Sequence, residues 1–351
     1  MTYAPGPYGW GHPPAPPPPK PGVIPLAPLD LNHVLSGAFG AYRRNWKALL
    51  GMALASYALA AVVVVGLGAA GWAALSGPWE AMGDPSSTGD ADLSDLTPLF
   101  LGLTGLWLLF VLGTLVATGL LHGAVAVVVQ EAVLGRRVGF GTVWRRAWSR
   151  LGPVLGTVVL PALAGLVPVL LGLFGLCLVL GAMIASIDSA GDGAGLAVTG
   201  LLVLLLSTAT MPVAVWIWVR FSLAPTAAVV ESAGTLTAMR RSARLVRGSW
   251  WRVFGYTLVM ALIVGGVSFA VQMVISVATQ ASVFGTPLAQ HATPGTVFAS
   301  VGTLVVTGGL LQLLTQLVLG PLLPLASGLL YVDLRIRKEN LAPVLAATAR
   351  T

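Results

Sequence analysis

Three acidic residues close apolar runs in the same local setting: Val129-Gln130-Glu131, Val229-Val230-Glu231 and Tyr331-Val332-Asp333, 100 and 102 residues apart. Carboxylates at membrane depth can relay protons or bind cations. Arginines follow closely here, Arg136 and Arg137 after Glu131, and Arg335 and Arg337 after Asp333. The pattern favours structural ion pairs at the membrane interface, each orienting an apolar hairpin against the next basic helix. A substrate or ion role is the alternative.

The cations are grouped as well. Arg43, Arg44 and Lys47 form one set, Arg145, Arg146 and Arg150 a second, and Arg240, Arg241, Arg244 and Arg247 a third, each with tryptophan nearby. Leu236, Met239, Ala243, Val246 and Trp250 fall at helical spacing, as do Leu31, Leu35, Ala38, Tyr42 and Trp46, with the cations beside each stripe. Such helices are expected to lie in the interface, apolar face towards acyl chains and cations towards anionic headgroups. Each cation there adds about 1 kcal/mol.

Few polar groups fall inside the apolar runs. His122, Gln272, Gln312 and Gln316 are the candidate intramembrane positions, along with Ser207, Thr208 and Thr210. Amides at such depth commonly bond one helix to another. If they instead lined a transport path, His122 and the three glutamines would share one cavity. No nucleophile–base pair, phosphate loop or metal-ligand spacing is visible, so no catalytic residue, metal site or cofactor is expected. Cys177 is the one cysteine. The acidic stretch Asp84–Asp95 lacks the placed glycine of a calcium loop.

These residues sit in a chain of 351 residues that is 56% hydrophobic and 9% charged, with mean hydropathy +0.87. A soluble domain carries about 25% charged residues, so most of this surface must be solvated by lipid. A secreted or cytosolic globular enzyme is excluded, and the net charge of +7 points to a membrane face, with no nucleic-acid partner. Apolar runs long enough to cross a bilayer cover Ala48–Leu75, Leu99–Val129, Pro153–Ile187, Leu196–Val219, Val253–Val283 and Val297–Val332. Pro153, Pro161, Pro168, Pro212, Pro321 and Pro324 are expected kinks.

Charge fixes the orientation. The loop after the first run holds Glu80, Asp84, Asp90, Asp92 and Asp95 without a cation, and all 19 Lys and Arg residues fall on the other side. The positive-inside rule then puts both termini in the cytoplasm of a bacterial cytoplasmic-membrane protein. Tryptophans near the run ends, Trp46, Trp72, Trp79, Trp144, Trp148, Trp216, Trp218, Trp250 and Trp251, fit an interfacial belt. Residues 1–28 are Pro-rich and read as a disordered cytoplasmic tail, residues 29–340 as the membrane domain, and 341–351 as a second tail.

The acids and the basic segments repeat with one period. Gly51, Gly156 and Gly255 follow the three basic segments at spacings of 105 and 99 residues. The unit is an amphipathic helix plus a transmembrane hairpin, three times over.

Three stretches carry a family resemblance. They are Pro25-Leu26-Ala27-Pro28-Leu29 with Arg43-Arg44-Asn45, the stretch Met239–Gly255 with its Arg240-Arg241-Ser242-Ala243-Arg244 core, and Tyr331-Val332-Asp333-Leu334-Arg335-Ile336-Arg337-Lys338-Glu339. Over residues 25–340 the chain resembles an actinobacterial family of six-span proteins, similar to the membrane domain associated with glycerophosphoryl diester phosphodiesterases. The resemblance implies the membrane domain alone. The catalytic His-Arg dipeptide is missing, since none of His12, His33, His122 and His291 precedes an arginine.

The expectation is an all-α polytopic membrane protein whose six helices form three repeats around a pseudo-threefold axis. Its expected role is non-enzymatic, structural or accessory, acting on a bilayer with anionic headgroups or on partner proteins. A transporter or channel for a lipid-like or amphipathic solute is the alternative.

Overall fold

The computed structural model describes residues 21–83, 93–188, 193–284, 308 and 311–348. Within them the chain is helical, without a strand. The order is α1 (Leu31–Gly83), α2 (Leu93–Val133), α3 (Phe140–Ser149), α4 (Leu151–Asp188), α5 (Gly193–Phe221), α6 (Ala224–Val230), α7 (Thr235–Val246) and α8 (Trp250–Phe284). A helix α9 covers residues 311–319, followed by α10 (Leu322–Glu339) and α11 (Ala342–Thr348). Six stretches are long and apolar enough to cross a membrane: Leu31–Val63, Leu108–Val133, Leu151–Met183, Ala194–Val230, Trp250–Val277 and Leu311–Glu339. The chain is therefore an all-α, multi-pass membrane protein. Most of the acidic loop, residues 84–92, lies outside the described residues, as do residues 1–20, 297–307 and the side chains of Trp72, Trp79 and Trp107.

Helix boundaries depart from the apolar runs where side chains find protein partners. The first basic helix is fused to its span, and α1 runs through with one non-helical residue, Asn45 (φ −118°, ψ 22°). The second and third basic segments form separate helices, α3 and α7. Pro161, Pro168 and Pro212 stay inside helices. Pro321 marks a break, standing at the N-cap of α10. A further break falls at residues 222–223, ahead of Pro225 in the first turn of α6.

The tight centre of the molecule lies at its cationic end. The last turns of α2, the short α6 and most of α10 are buried against one another. Small residues permit this approach: Ala124, Ala227, Ala228 and Ala326 are buried, and a Cβ on Gly328 would stand 2.8 Å from Val129 Cγ2. Around this centre dock α3, with Ala147 over Gly123, and the first turns of α1, with Gly37 against Leu329. Helix α7 buries Ala238, Ser242 and Leu245 on α6 and its neighbours. Away from this end, α4 pairs with α5 through facing Gly175 and Gly200. Their outer leucines, like those of α8, are exposed.

Two boundaries are corrected. Residues 21–28, at the end of the expected tail, are docked: Ile24 and Leu26 are buried, and the Val23 amide donates to the Ala132 carbonyl at 3.2 Å. The segment runs in bends from the end of α2, where Val23 is bonded, to α10, where the Leu29 amide meets Asp333. Gly22 lies so close to the end of α2 that a Cβ would be 2.2 Å from the Ala132 oxygen. Likewise, part of the expected C-terminal tail is helix α11, whose Leu345 packs on the core with Leu341 and Ala342.

The facing of the basic helices also differs from expectation. Their apolar sides meet protein. In α7 the buried line is Ala238, Ser242, Leu245 and Val246, while Leu236 is exposed. Small side chains win the inward positions because the helix must approach the bundle closely. Trp46, Trp148 and Trp251 remain exposed.

Candidate functional site

The three acids end three central helices, and each is anchored differently. Glu131, at the end of α2, pairs with Arg146 of α3 at 3.1 Å. Arg136 and Arg137 are not its partners. Gly135 adopts φ +78° and reverses the chain, which carries Arg136 to the Thr348 carbonyl and Arg137 towards α1.

Glu231 sits in a larger network. It accepts from Arg241 Nε at 2.8 Å and from the Tyr331 hydroxyl at 2.5 Å. Arg241 reaches on to Glu339 at 2.6 Å, and Arg335 pairs with Glu339 at 2.9 Å. Burial alone would raise the Glu231 carboxyl pKa. The Tyr331 hydroxyl and the Arg241 guanidinium outweigh that and hold it below the ordinary glutamate value. The same partners hold Arg241 above its ordinary value, although burial opposes this.

Asp333 is fully buried. It accepts from the Leu29 amide at 2.7 Å and from Arg337 Nε at 2.9 and 3.1 Å. Arg337 also donates to the Leu29 carbonyl at 2.9 Å. The partner is Arg337 and not Arg335 because i,i+4 residues share a helix face while i,i+2 residues do not. Lys338 donates to the Leu245 and Arg247 carbonyls at 2.8 and 2.7 Å, placing a cation at the C-terminal end of α7 where the helix dipole favours it.

These contacts link the chain into a ring. Arg44 reaches the Gly135 carbonyl, Arg150 the Ser232 carbonyl at 3.1 Å, Arg241 Glu339, and Arg337 returns to Leu29. Each of the three acids is paired with an arginine, an arrangement that suits anchoring of the helix ends. Among the described residues, no three of His, Cys, Asp and Glu stand together as metal ligands.

Of the ten candidate lipid-contact cations, Arg43, Arg44, Lys47, Arg145, Arg146, Arg240, Arg244 and Arg247 are exposed and Arg150 is half-buried. Arg241 is committed to Glu231 and Glu339. Sequence reasoning missed Tyr331, Glu339, Lys338 and Asn45. The Arg335–Glu339 spacing of four was the available signal for one of them.

The intramembrane polar residues do not converge. His122 lines a cavity of about 480 Å³ between α2, α4, α5, α6 and α10, with Thr118, Thr157, Trp218 and Ser327. Its Nδ1 lies 2.9 Å from the Thr118 carbonyl. Gln272, Gln312 and Gln316 are exposed and none lines that cavity. The single cavity that a transport path through these four residues would require is not formed, because the glutamines of α8 and α9 are exposed.

No curated protein and no solved structure matches the chain significantly. The family described as "Domain of unknown function (DUF7847)" matches residues 29–320, and the chain belongs to it.

Proposed function

We propose that this member of the DUF7847 family is a non-enzymatic accessory protein of the bacterial cytoplasmic membrane. Both termini lie in the cytoplasm, and a basic collar there grips anionic lipid headgroups. The three basic segments act as copies of one unit, each followed by a hairpin that ends in an acid. The observation that carries the reading is the division of labour among the cations. Arg241, Arg337 and Lys338 are used up inside the protein, while Arg43, Arg145, Arg240, Arg244 and Arg247 are exposed at the same end. Outward cations on docked helices suit a charged surface, each contributing about 1 kcal/mol.

The test is extraction of the full chain with its lipid annulus in a mild polymer, followed by native mass spectrometry. Replacing Arg240, Arg244 and Arg247 by Gln should lower the ratio of anionic to zwitterionic lipid retained. An unchanged ratio would sink the lipid-gripping reading. Arg241 is left intact because its loss would strip Glu231 of its partner.

One observation favours a second reading, transport or handling of a lipid-like solute. The His122 cavity is largely apolar with a few polar groups, the usual character of a small-molecule site. Reproducible retention of one solute, lost in Gly165→Trp, would support it; an empty cavity in the wild-type chain would count against it.

A further inference from the structure

A crevice of about 660 Å³ opens where α1 bends at Asn45. Arg43, Arg44 and Lys47 approach it from the two sides of the bend, and Arg137 comes from the α2–α3 turn. No carboxylate lines it. We propose that this crevice binds a phosphate group, carried by the headgroup of an anionic phospholipid at the membrane face.

Asn45 builds the site. Its side-chain amide donates to the Ala41 carbonyl at 3.2 Å, and its Oδ1 accepts from the Val138 amide at 3.4 Å. One side chain thus stabilises the bend and ties down the residue next to Arg137. Arg44 is held by the Gly135 carbonyl, which closes the same junction from the other side. Arg43 and Arg137 are left with no hydrogen bond and no acidic partner among the described residues, and Lys47 contacts only the Trp46 ring. By contrast, Arg146, Arg150, Arg241 and Arg337 each meet a carboxylate or a carbonyl of another segment.

Like charges gathered without a counter-ion repel one another, and an oxyanion converts that repulsion into attraction. Guanidinium pairs match tetrahedral phosphate oxygens in a forked geometry, with lysine acting as a point charge. The bend keeps the cations together before the ligand arrives, so binding does not carry the entropy of collecting them. Exposed Trp46 and Phe39 flank the bend, and tryptophan is a side chain that favours the headgroup level. This assignment rests on the lipid-gripping reading only for the source of the phosphate; the crevice itself does not depend on it.

The test uses the full chain in mild detergent, titrated with phosphatidate, phosphatidylglycerol or phosphatidylcholine and read by native mass spectrometry. Arg43→Gln with Arg137→Gln is compared with Arg240→Gln plus Arg244→Gln, which removes equal charge from α7. The expected result is one phosphatidate retained per wild-type chain, weakened at least tenfold by the bend pair and little by the α7 pair. Asn45→Leu keeps every charge and should also weaken retention, with its thermal midpoint as the folding control. Equal weakening by both charge pairs would overturn the crevice while leaving general lipid gripping intact. No effect of either pair would overturn both. Displacement of lipid by millimolar inorganic phosphate supports the site. Phosphate binding with no lipid retained would overturn the headgroup assignment and the gripping reading together.

Discussion

Replacing Asp333 by alanine removes a carboxylate whose side chain is 0% exposed, beside an Arg337 that is 27% exposed. Three bonds go: one from the Leu29 amide and two from Arg337. Breaking a buried pair by deleting one member costs about 3–5 kcal/mol, because the other charge is left uncompensated. Arg337 retains the Leu29 carbonyl and some access to water, so the expectation sits near the lower end, at about 3 kcal/mol. Asp333→Asn keeps an acceptor for the Leu29 amide and loses the charge-assisted part, for about 2 kcal/mol. Glu131 also ends an apolar run, 202 residues earlier, but its partner Arg146 is 50% exposed. Glu131→Ala should therefore cost about 0–1 kcal/mol, as exposed pairs do. The assay is reversible unfolding of the full chain in mixed micelles titrated with SDS, followed by tryptophan fluorescence. Hydrogen exchange over residues 22–30 would add a local readout, since only the Asp333 variants should expose that segment. Equal costs at the two positions would refute the claim that burial, and not the place of the acid at a helix end, sets the energy.

Other consequences concern neighbouring parts of the same end. Glu231 has a folded-state pKa below its ordinary value of 4.5, so its contribution is present above that pH and is lost as pH falls through the lowered value. Tyr331→Phe removes one donor and should move that loss to higher pH; superimposable profiles of thermal midpoint against pH would contradict this. Gly22→Val would drive side-chain atoms into the Ala132 and Val133 carbonyls, so residues 21–30 should undock and become sensitive to limited proteolysis, while an unchanged cleavage pattern would be the contrary result. Lys338→Met leaves the Leu245 and Arg247 carbonyls without their cation. It should cost about 0.3–1 kcal/mol and speed amide exchange in the last turn of α7.

Composition and hydropathy were enough to make the chain an all-α membrane protein with six apolar spans. A continuous apolar run of this length satisfies its backbone in lipid as a helix, because a barrel strand would alternate apolar and polar residues over a shorter segment. The spacing of Glu131, Glu231 and Asp333 marked three helix ends, where the structure pairs each acid with an arginine. Their partners were less legible. Arg146 and Arg241 lie on the next basic helix along the chain, as the ion-pair reading expected, whereas the choice of Arg146 over the nearer Arg136 and Arg137 depends on a left-handed turn at Gly135.

Only the tertiary structure decided what residues 21–30 do, because an irregular Pro-rich segment has no periodicity and gains its partners from the ends of α2 and α10, more than 100 and 300 residues away. It also decided which face each basic helix turns inward. Hydrophobic spacing finds an apolar stripe, but the contacts with α6 rotate the helix so that Ala238, Ser242, Leu245 and Val246 face inside and Leu236 stays out. For the same reason the glutamines of α8 and α9 could not be assigned to a cavity from sequence. Helical periodicity gives the angle between side chains on one helix, and the rotation of that helix against its neighbours is set by contacts that no single segment contains.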